Sequence, residues 1–293
     1  IKTMETTAPR RTGVDLQTVP ASRHLPSVGQ IAAHGFLILL VIADILPFVW
    51  MALGSFKTYR DLANNPGIPD PWTLANYYEI VTRANFAQAF FNSVLITVPR
   101  VFLACFTSAA VAYVFAKYRF PGRDLLFTLL LSTMMVPFVV TLVPLYVTLA
   151  DLRLVNCLSA LVVIAVFSTI GTFILRQSIM DIPDDLIEAA RIDGAGEVWI
   201  YTRLIIPLCR APLAALAVFT FLFSWDDYMF PSLILTTPAV KTLPLVLAGL
   251  RSLYWQRYEL YAAGSMLTVV PVMLLYAVMQ RQFVRGIALT GLK

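Results

Sequence analysis

Six stretches of mostly apolar residues recur along the chain: about Ile31–Gly54, Ser93–Ala116, Leu125–Ala150, Ser159–Met180, Ala211–Leu235 and Ala263–Gln280. Each is close to the ~20 residues that a helix needs to cross the hydrocarbon core of a bilayer. The apolar residues run in blocks rather than alternating singly, so an outer-membrane barrel, with in–out strands of about 10 residues, is excluded. A soluble domain is excluded too. Of the 293 residues, 59% are apolar and 13% charged, against roughly 45–50% and 25% in an ordinary soluble protein, and the mean hydropathy is +0.76. The blocks predict an all-α polytopic membrane protein with six transmembrane helices.

The residues available for chemistry are few. Cys105, Cys157 and Cys209 form no CxxC pair, and an odd number cannot pair fully within one chain. His24 and His34 both lie at the N-terminal edge, so the body has no His-based catalytic or zinc constellation, and no metal or catalytic residue is expected. There is no GxxxxGK[ST] loop to cradle phosphates, and the Gly194-x-Gly196 pair reads as a turn. Lysines and arginines are scattered singly without interleaved aromatics, which argues against nucleic acid.

The net charge of +5 is better explained by topology. Six crossings put both termini on one side. With the turns between spans two and three and between four and five, that side carries fourteen of the Lys and Arg residues against seven opposite. Basic residues favour the cytoplasm, so both termini are expected there. Residues 1–30, polar and without an apolar core before a cleavage site, read as a cytoplasmic tail. Residues 31–293 form the transmembrane domain.

The most informative segment joins the fourth and fifth spans, from Asp181 to Pro212. Pro183 and Asp184 make a helix start, and Asp185 suits the positive end of its dipole. Gly194 can stop that helix in a left-handed turn, and a second short helix begins near Gly196. Ala189 and Ala190 are small enough for another backbone to come close, and Glu188 offers an anchor for a cation. Physically the segment is either an amphipathic connector lying at the interface or a lever moved by a partner's ligand-driven switch.

Glu188-Ala189-Ala190, Asp193-Gly194-Ala195, Ile206-Pro207 and Pro212 resemble the EAA loop of ATP-binding-cassette (ABC) importer permeases. Flanking motifs are similar to the carbohydrate, maltose-type branch and its smaller six-span permease. They are Ser55-Phe56-Lys57-Thr58, Thr73 to Tyr77, Asn92-Ser93, Tyr113 to Arg123, Met134 to Pro137, Val143 to Tyr146, Trp225 to Tyr228 and Phe283 to Gly291. The resemblance covers about residues 30–293. Asp226 departs from it, since the family more often has Asn there, and Asp44 is another unusual charge in a span.

The resemblance implies a prokaryotic inner-membrane permease of a binding-protein-dependent saccharide importer. Its partners would be a second permease in a heterodimer, two ATPase subunits, an extracytoplasmic substrate-binding protein and membrane lipid. No cofactor is implied on this chain; the partner ATPase would bind ATP and Mg. A cytoplasmic EAA coupling helix would lie between spans four and five. Its ATPase-docking residues would be Asp184, Asp185, Glu188, Ala189, Ala190, Asp193 and Gly194, and the extreme C-terminus, about Thr290–Lys293, would also reach the ATPase.

Ionisable groups inside spans are costly and mark function by default. Trp225, Asp226, Asp227, Tyr228 and Arg100 are candidate pore or substrate contacts; the competing reading is carboxylates and a guanidinium paired with neighbouring helices. Tyr254, Trp255 and Tyr258 read as interface anchors or as a contact for the binding protein. Rival functions are an importer of the same architecture for a polyamine or phosphate, a membrane-embedded enzyme, and a secondary transporter. The enzyme lacks a catalytic constellation, and the transporter would want a second inverted half within the chain.

Overall fold

The computed structural model describes residues 28–83, 85–253 and 257–290. Among them every regular element is helical. The chain divides into two compact units, one ending at Phe48 and one beginning at Val49, and the boundary falls inside α1 (Val28–Ser55). In the first unit α1 presents Phe36, Leu39 and Leu46 as exposed side chains, the surface expected of a helix that lipid or another chain covers.

The second unit is built around α4 (Phe86–Lys117). Before it lie α2 (Tyr59–Asn64) and α3 (Ala75–Arg83), joined by a short looped segment that local bonds hold firmly. The Asn76 amide donates to the Ser55 and Lys57 carbonyls, both at 2.8 Å. Phe56 packs against Trp72 and Tyr77. Asp61 accepts from the Asp70 amide at 3.1 Å and from Asn65 at 3.0 Å, and the Asp70 amide above all holds the Asp61 carboxyl below the usual carboxylate range.

Among the described residues, four helical stretches are long and apolar enough to cross a membrane: Ala32–Ser55, Phe86–Lys117, Arg210–Ile234 and Tyr258–Gln280. The third and fourth sequence blocks depart from simple rods. In the third, α5 (Arg123–Ser132) continues as a 3-10 turn and then meets α6 (Phe138–Asp151) at a 99° bend. The cause is Pro137, which forces Val136 out of the helical region to ψ 115°. The pair counts as one crossing only if the bend lies within it.

The fourth block is split into α7 (Leu158–Val163) and α8 (Thr169–Met180), neither long enough to span alone. Neither proline nor glycine marks this break. The Ser168 hydroxyl caps α8 by accepting from the Gly171 amide at 3.1 Å. On α4, the Thr107 hydroxyl donates to the Val166 carbonyl at 2.5 Å, and the Ser108 hydroxyl bonds both the amide and the carbonyl of Ser168. Irregular backbone at membrane depth requires this kind of satisfaction from neighbouring protein.

Beyond α8 come α9 (Asp184–Ile192), the short α10 (Glu197–Trp199), a π-helical turn at Ile200–Ile205, and α11 (Ile206–Leu208). Then α12 (Arg210–Trp225) and α13 (Met229–Ile234) form one broken span. After α14 (Leu243–Leu253), α15 (Tyr258–Thr290) closes the unit. Small residues let the helices approach: Ala104, Ser108, Ala109 and Ala112 are buried along α4. A Cβ at Gly171 would stand 2.7 Å from the methyls of Leu216, so α8 and α12 meet closely there and a larger residue would require Leu216 to shift.

Asn92 and Ser93 of α4 hold the chain that follows α13. The Asn92 amide donates to the Ala239 and Lys241 carbonyls at 2.9 Å, and the Ser93 hydroxyl accepts from the Leu243 amide at 2.8 Å. Residues 1–27 of the expected 1–30 tail, Tyr254, Trp255 and residues 291–293 lie outside the described residues, and α1 begins within that tail at Val28.

Candidate functional site

Two places in the second unit gather the residues singled out by the sequence. The first is the elbow formed by α9 and the turn after it. Pro183 precedes the first helical residue, and Asp184 and Asp185 occupy the first turn, where carboxylates oppose the helix dipole. The helix ends in a glycine-closed motif. Gly194 sits at φ +83°, its amide bonds the Arg191 carbonyl at 3.0 Å, and the Ala195 amide bonds the Ala190 carbonyl at 2.9 Å. These are the two bonds that satisfy a helix C-terminus when a residue without a Cβ adopts the left-handed conformation.

The inner side of the elbow is rooted in protein. Ile187 is buried with Ala109, Ala112 and Tyr113 of α4, Leu175 and Ile179 of α8, and Ile200, Tyr201 and Ile205 of the π-helical turn. Its outer side is open: Asp184, Asp185, Glu188, Ala189, Asp193 and Gly194 are exposed and Ala190 is half-buried. Leu186, Ala189, Ala190, Gly194 and Trp199 line a shallow concavity of about 640 Å³. The seven residues expected to dock a partner are thus brought together on one short surface.

Polar ties that sequence reasoning did not anticipate fix this elbow to α4. The Lys117 ammonium donates to the Ile182 carbonyl and to Asp184 Oδ1, the latter at 2.6 Å. Lys117 is 6% exposed and Asp184 71%, so a nearly buried cation holds the start of α9. Its hydrogen bond keeps the Asp184 carboxyl below the usual carboxylate range. The Tyr113 hydroxyl donates to Glu197 Oε2 at 3.0 Å, and Arg191 donates to Glu197 Oε1 at 2.9 Å. The Tyr118 hydroxyl, followed by Arg191 and Tyr113, holds the Glu197 carboxyl low. Deeper in, the Tyr201 hydroxyl donates to the Phe106 carbonyl at 2.5 Å. An acid at the start of the helix after a glycine turn and tyrosines near the end of the facing span were visible in the sequence; their pairing was not.

The second place is the break between α12 and α13, at Asp226–Tyr228. Arg100 and Asp227 form an ion pair at 3.4 Å, with their side chains 14% and 19% exposed, which is the helix-to-helix pairing weighed from the sequence. One turn along, the Thr97 and Ser224 hydroxyls meet at 3.0 Å. Trp225 is 1% exposed. Its ring stacks on Phe221 and meets Phe90 edge-on, and its Nε1 donates to the Thr268 carbonyl at 3.1 Å. That corrects the expectation of Trp225 as a pore contact, because the indole is buried and its N–H is bonded to protein. Asp226 and Tyr228 are exposed.

The geometry therefore offers an anchored cradle at one place and an exposed carboxylate and phenol at the other. Residues 106–288 match the family model described as binding-protein-dependent transport system inner membrane component. The chain belongs to that family. It is an ABC importer permease subunit of the carbohydrate-uptake type, and not an enzyme. The permease is 35% identical to the arabinooligosaccharides transport system permease protein AraQ of Halalkalibacterium halodurans, over 92% of this chain and 98% of that protein. It is 32% identical to the diacetylchitobiose uptake system permease protein NgcG of Streptomyces coelicolor, over 87% and 86% of the two chains. Among solved structures, a chain of a bacterial ABC transporter involved in importing the acidic polysaccharide alginate superposes with a TM-score of 0.78 at 19% identity. That match covers 86% of the permease and 95% of the other chain, and it is a likeness of fold.

Proposed function

We propose that this permease forms half of the pore of a prokaryotic saccharide importer and that α9 is its EAA coupling helix, seated in a groove of the ATPase. The observation that carries the coupling role is the elbow's two-sidedness: a root buried against α4 and α8, and an outer cradle of Glu188, Ala189 and Ala190 around a glycine turn. Glu188 pairs with a basic ATPase residue, the two alanines pack, Asp184, Asp185 and Asp193 edge the contact, and Gly194 permits the turn. Closure of the ATPase dimer on ATP and Mg pulls the elbow. Because Lys117, Tyr113 and Tyr201 tie that elbow to α4 and its neighbours, the bundle is biased between inward- and outward-facing states.

Saccharide as cargo rests on relatives whose names specify arabino-oligosaccharides and diacetylchitobiose. If the bent α5–α6 pair and the split α7–α8 pair each make one crossing, there are six and the elbow shares a side with both termini; the bias of basic residues supports reading that side as the cytoplasm. Residues 1–30 are then a cytoplasmic tail and 31–293 the transmembrane domain. A second permease completes the pore, and a binding protein delivers cargo from outside. Asp226 and Tyr228 border the path, with the paired Arg100 and Asp227 behind them.

The test is a photo-crosslinking residue at Ala189 in the complete importer. Crosslinking to the ATPase, lost when the ATPase is stripped away, is expected; crosslinking to lipid alone would remove the coupling assignment. In proteoliposomes, uptake of arabino-oligosaccharide should require both the binding protein and ATP.

A further inference from the structure

Within the three long spans of the second unit, the basic residues away from the span ends reduce to Arg100; Lys117 and Arg210 lie at ends. Its charge is already matched. Asp227 holds it at 3.4 Å, and the pair is mostly buried between α4 and the helix break. The neighbouring Asp226 is exposed, as are Phe223, at 78%, and Tyr228, at 51%, on either side. The net charge of this break is therefore that of the Asp226 carboxylate. A carboxylate at membrane depth does not face hydrocarbon; it faces a water-filled path or a cation on another chain.

We infer that the importer carries uncharged saccharides: Asp226 stands in the path as an acceptor for sugar hydroxyls, while its charge, uncompensated because Asp227 occupies Arg100, turns anionic saccharides away. The inference rests on the saccharide reading proposed above. Carboxylates accept hydroxyl donors in short charge-assisted bonds, and vicinal hydroxyls supply such donors in pairs. Like charges repel far more strongly in a confined, weakly screened passage than in bulk water. An uncharged sugar gains from Asp226, whereas a uronate or phosphate ester meets repulsion that Arg100, already held by Asp227, does not offset. The fold itself does not set this preference, since the similarly folded alginate importer handles an acidic polymer.

The experiment uses the complete importer with its binding protein in proteoliposomes. Neutral arabinotriose and diacetylchitobiose are compared with an alginate trisaccharide and glycerol 3-phosphate, reading both binding-protein affinity and uptake. Uptake confined to neutral sugars is expected. Transport of the uronate sugar would overturn the charge assignment while leaving the saccharide reading intact, whereas transport of glycerol 3-phosphate alone would overturn both.

A second arm examines Asp226→Asn and Asp226→Ala on the transported neutral sugar. Loss of a charge-assisted acceptor predicts maximal uptake reduced by about threefold and about tenfold respectively. Subunit stoichiometry and binding-protein affinity should be unchanged. Uptake at the native rate by Asp226→Ala would overturn the contact. Loss of the second permease from the purified variant would also overturn it, by showing an inter-subunit ion pair instead.

Discussion

The elbow at α9 and the break at Asp226–Tyr228 both interrupt helices, and they do so in opposite ways. At the elbow the interruption is made by a glycine, the freed backbone groups are bonded, and Lys117, Tyr113 and Tyr201 tie the segment to the rest of the bundle. At the break the interruption falls on two acids, one ion pair spans the gap, and the buried Arg100 Nε has no bonding partner. The first arrangement fixes the segment to the bundle with its freed backbone groups satisfied. The second leaves the Asp226 carboxylate exposed beside the paired Arg100 and Asp227.

That contrast can be broken in several places. The largest effect is expected at the cradle itself. Gly194→Val places a β-branched residue at φ +83°, where a Cβ meets nothing within 4 Å but the conformation costs about 1–3 kcal/mol, and Glu188→Lys reverses the charge at the cradle. Each should lower binding-protein-dependent uptake by more than about tenfold while membrane insertion persists. Normal uptake at normal expression would show the elbow to be a passive connector.

Next is Arg100→Met, which strands Asp227 and should cost about 3 kcal/mol of stability in thermal unfolding. Arg100→Met with Asp227→Leu should regain most of that. If the double variant is no more stable than the single, the pair is not the tie that holds the break. Third, Lys117→Met frees Asp184 and the Ile182 carbonyl from α4. ATP hydrolysis should continue while sugar moved per ATP falls several-fold; unchanged coupling would mean that the elbow needs no anchor there. Tyr201→Phe removes one neutral hydrogen bond and should cost only about 1 kcal/mol.

The smallest effect concerns pH. Lys117 depresses Asp184, so its contribution is fully present above the ordinary carboxylate range of about 4. It is lost only as pH falls through the lowered value. Hydrogen exchange at the amides of residues 184–195 should therefore show the same protection factors at pH 7 and pH 5, and weaken in stronger acid.

Much of this architecture was legible in the chain. Apolar blocks gave helices, Pro183 and Gly194 bounded α9 as expected, and Val136-Pro137 carried a visible signal for the bend in the third block. The break before Ser168 was not legible, because the groups that stabilise it, Thr107 and Ser108, lie some sixty positions earlier on another helix. Trp225 illustrates the same limit at the site. An aromatic beside two acids suits a sugar platform in sequence, yet Phe90, Phe221 and the Thr268 carbonyl absorb it. Pattern reports local geometry well; which side chain claims which partner is decided by contacts distant along the chain.

The π-helical turn at Ile200–Ile205, between the elbow and α12, has a mechanical corollary. Such a turn stores one more residue than its α-helical counterpart. Any transition that expels the surplus residue rotates everything downstream by about 100°, swinging the side chains of α12 around its axis. A modest tug at the elbow could in that way be geared into a twist deep within the membrane.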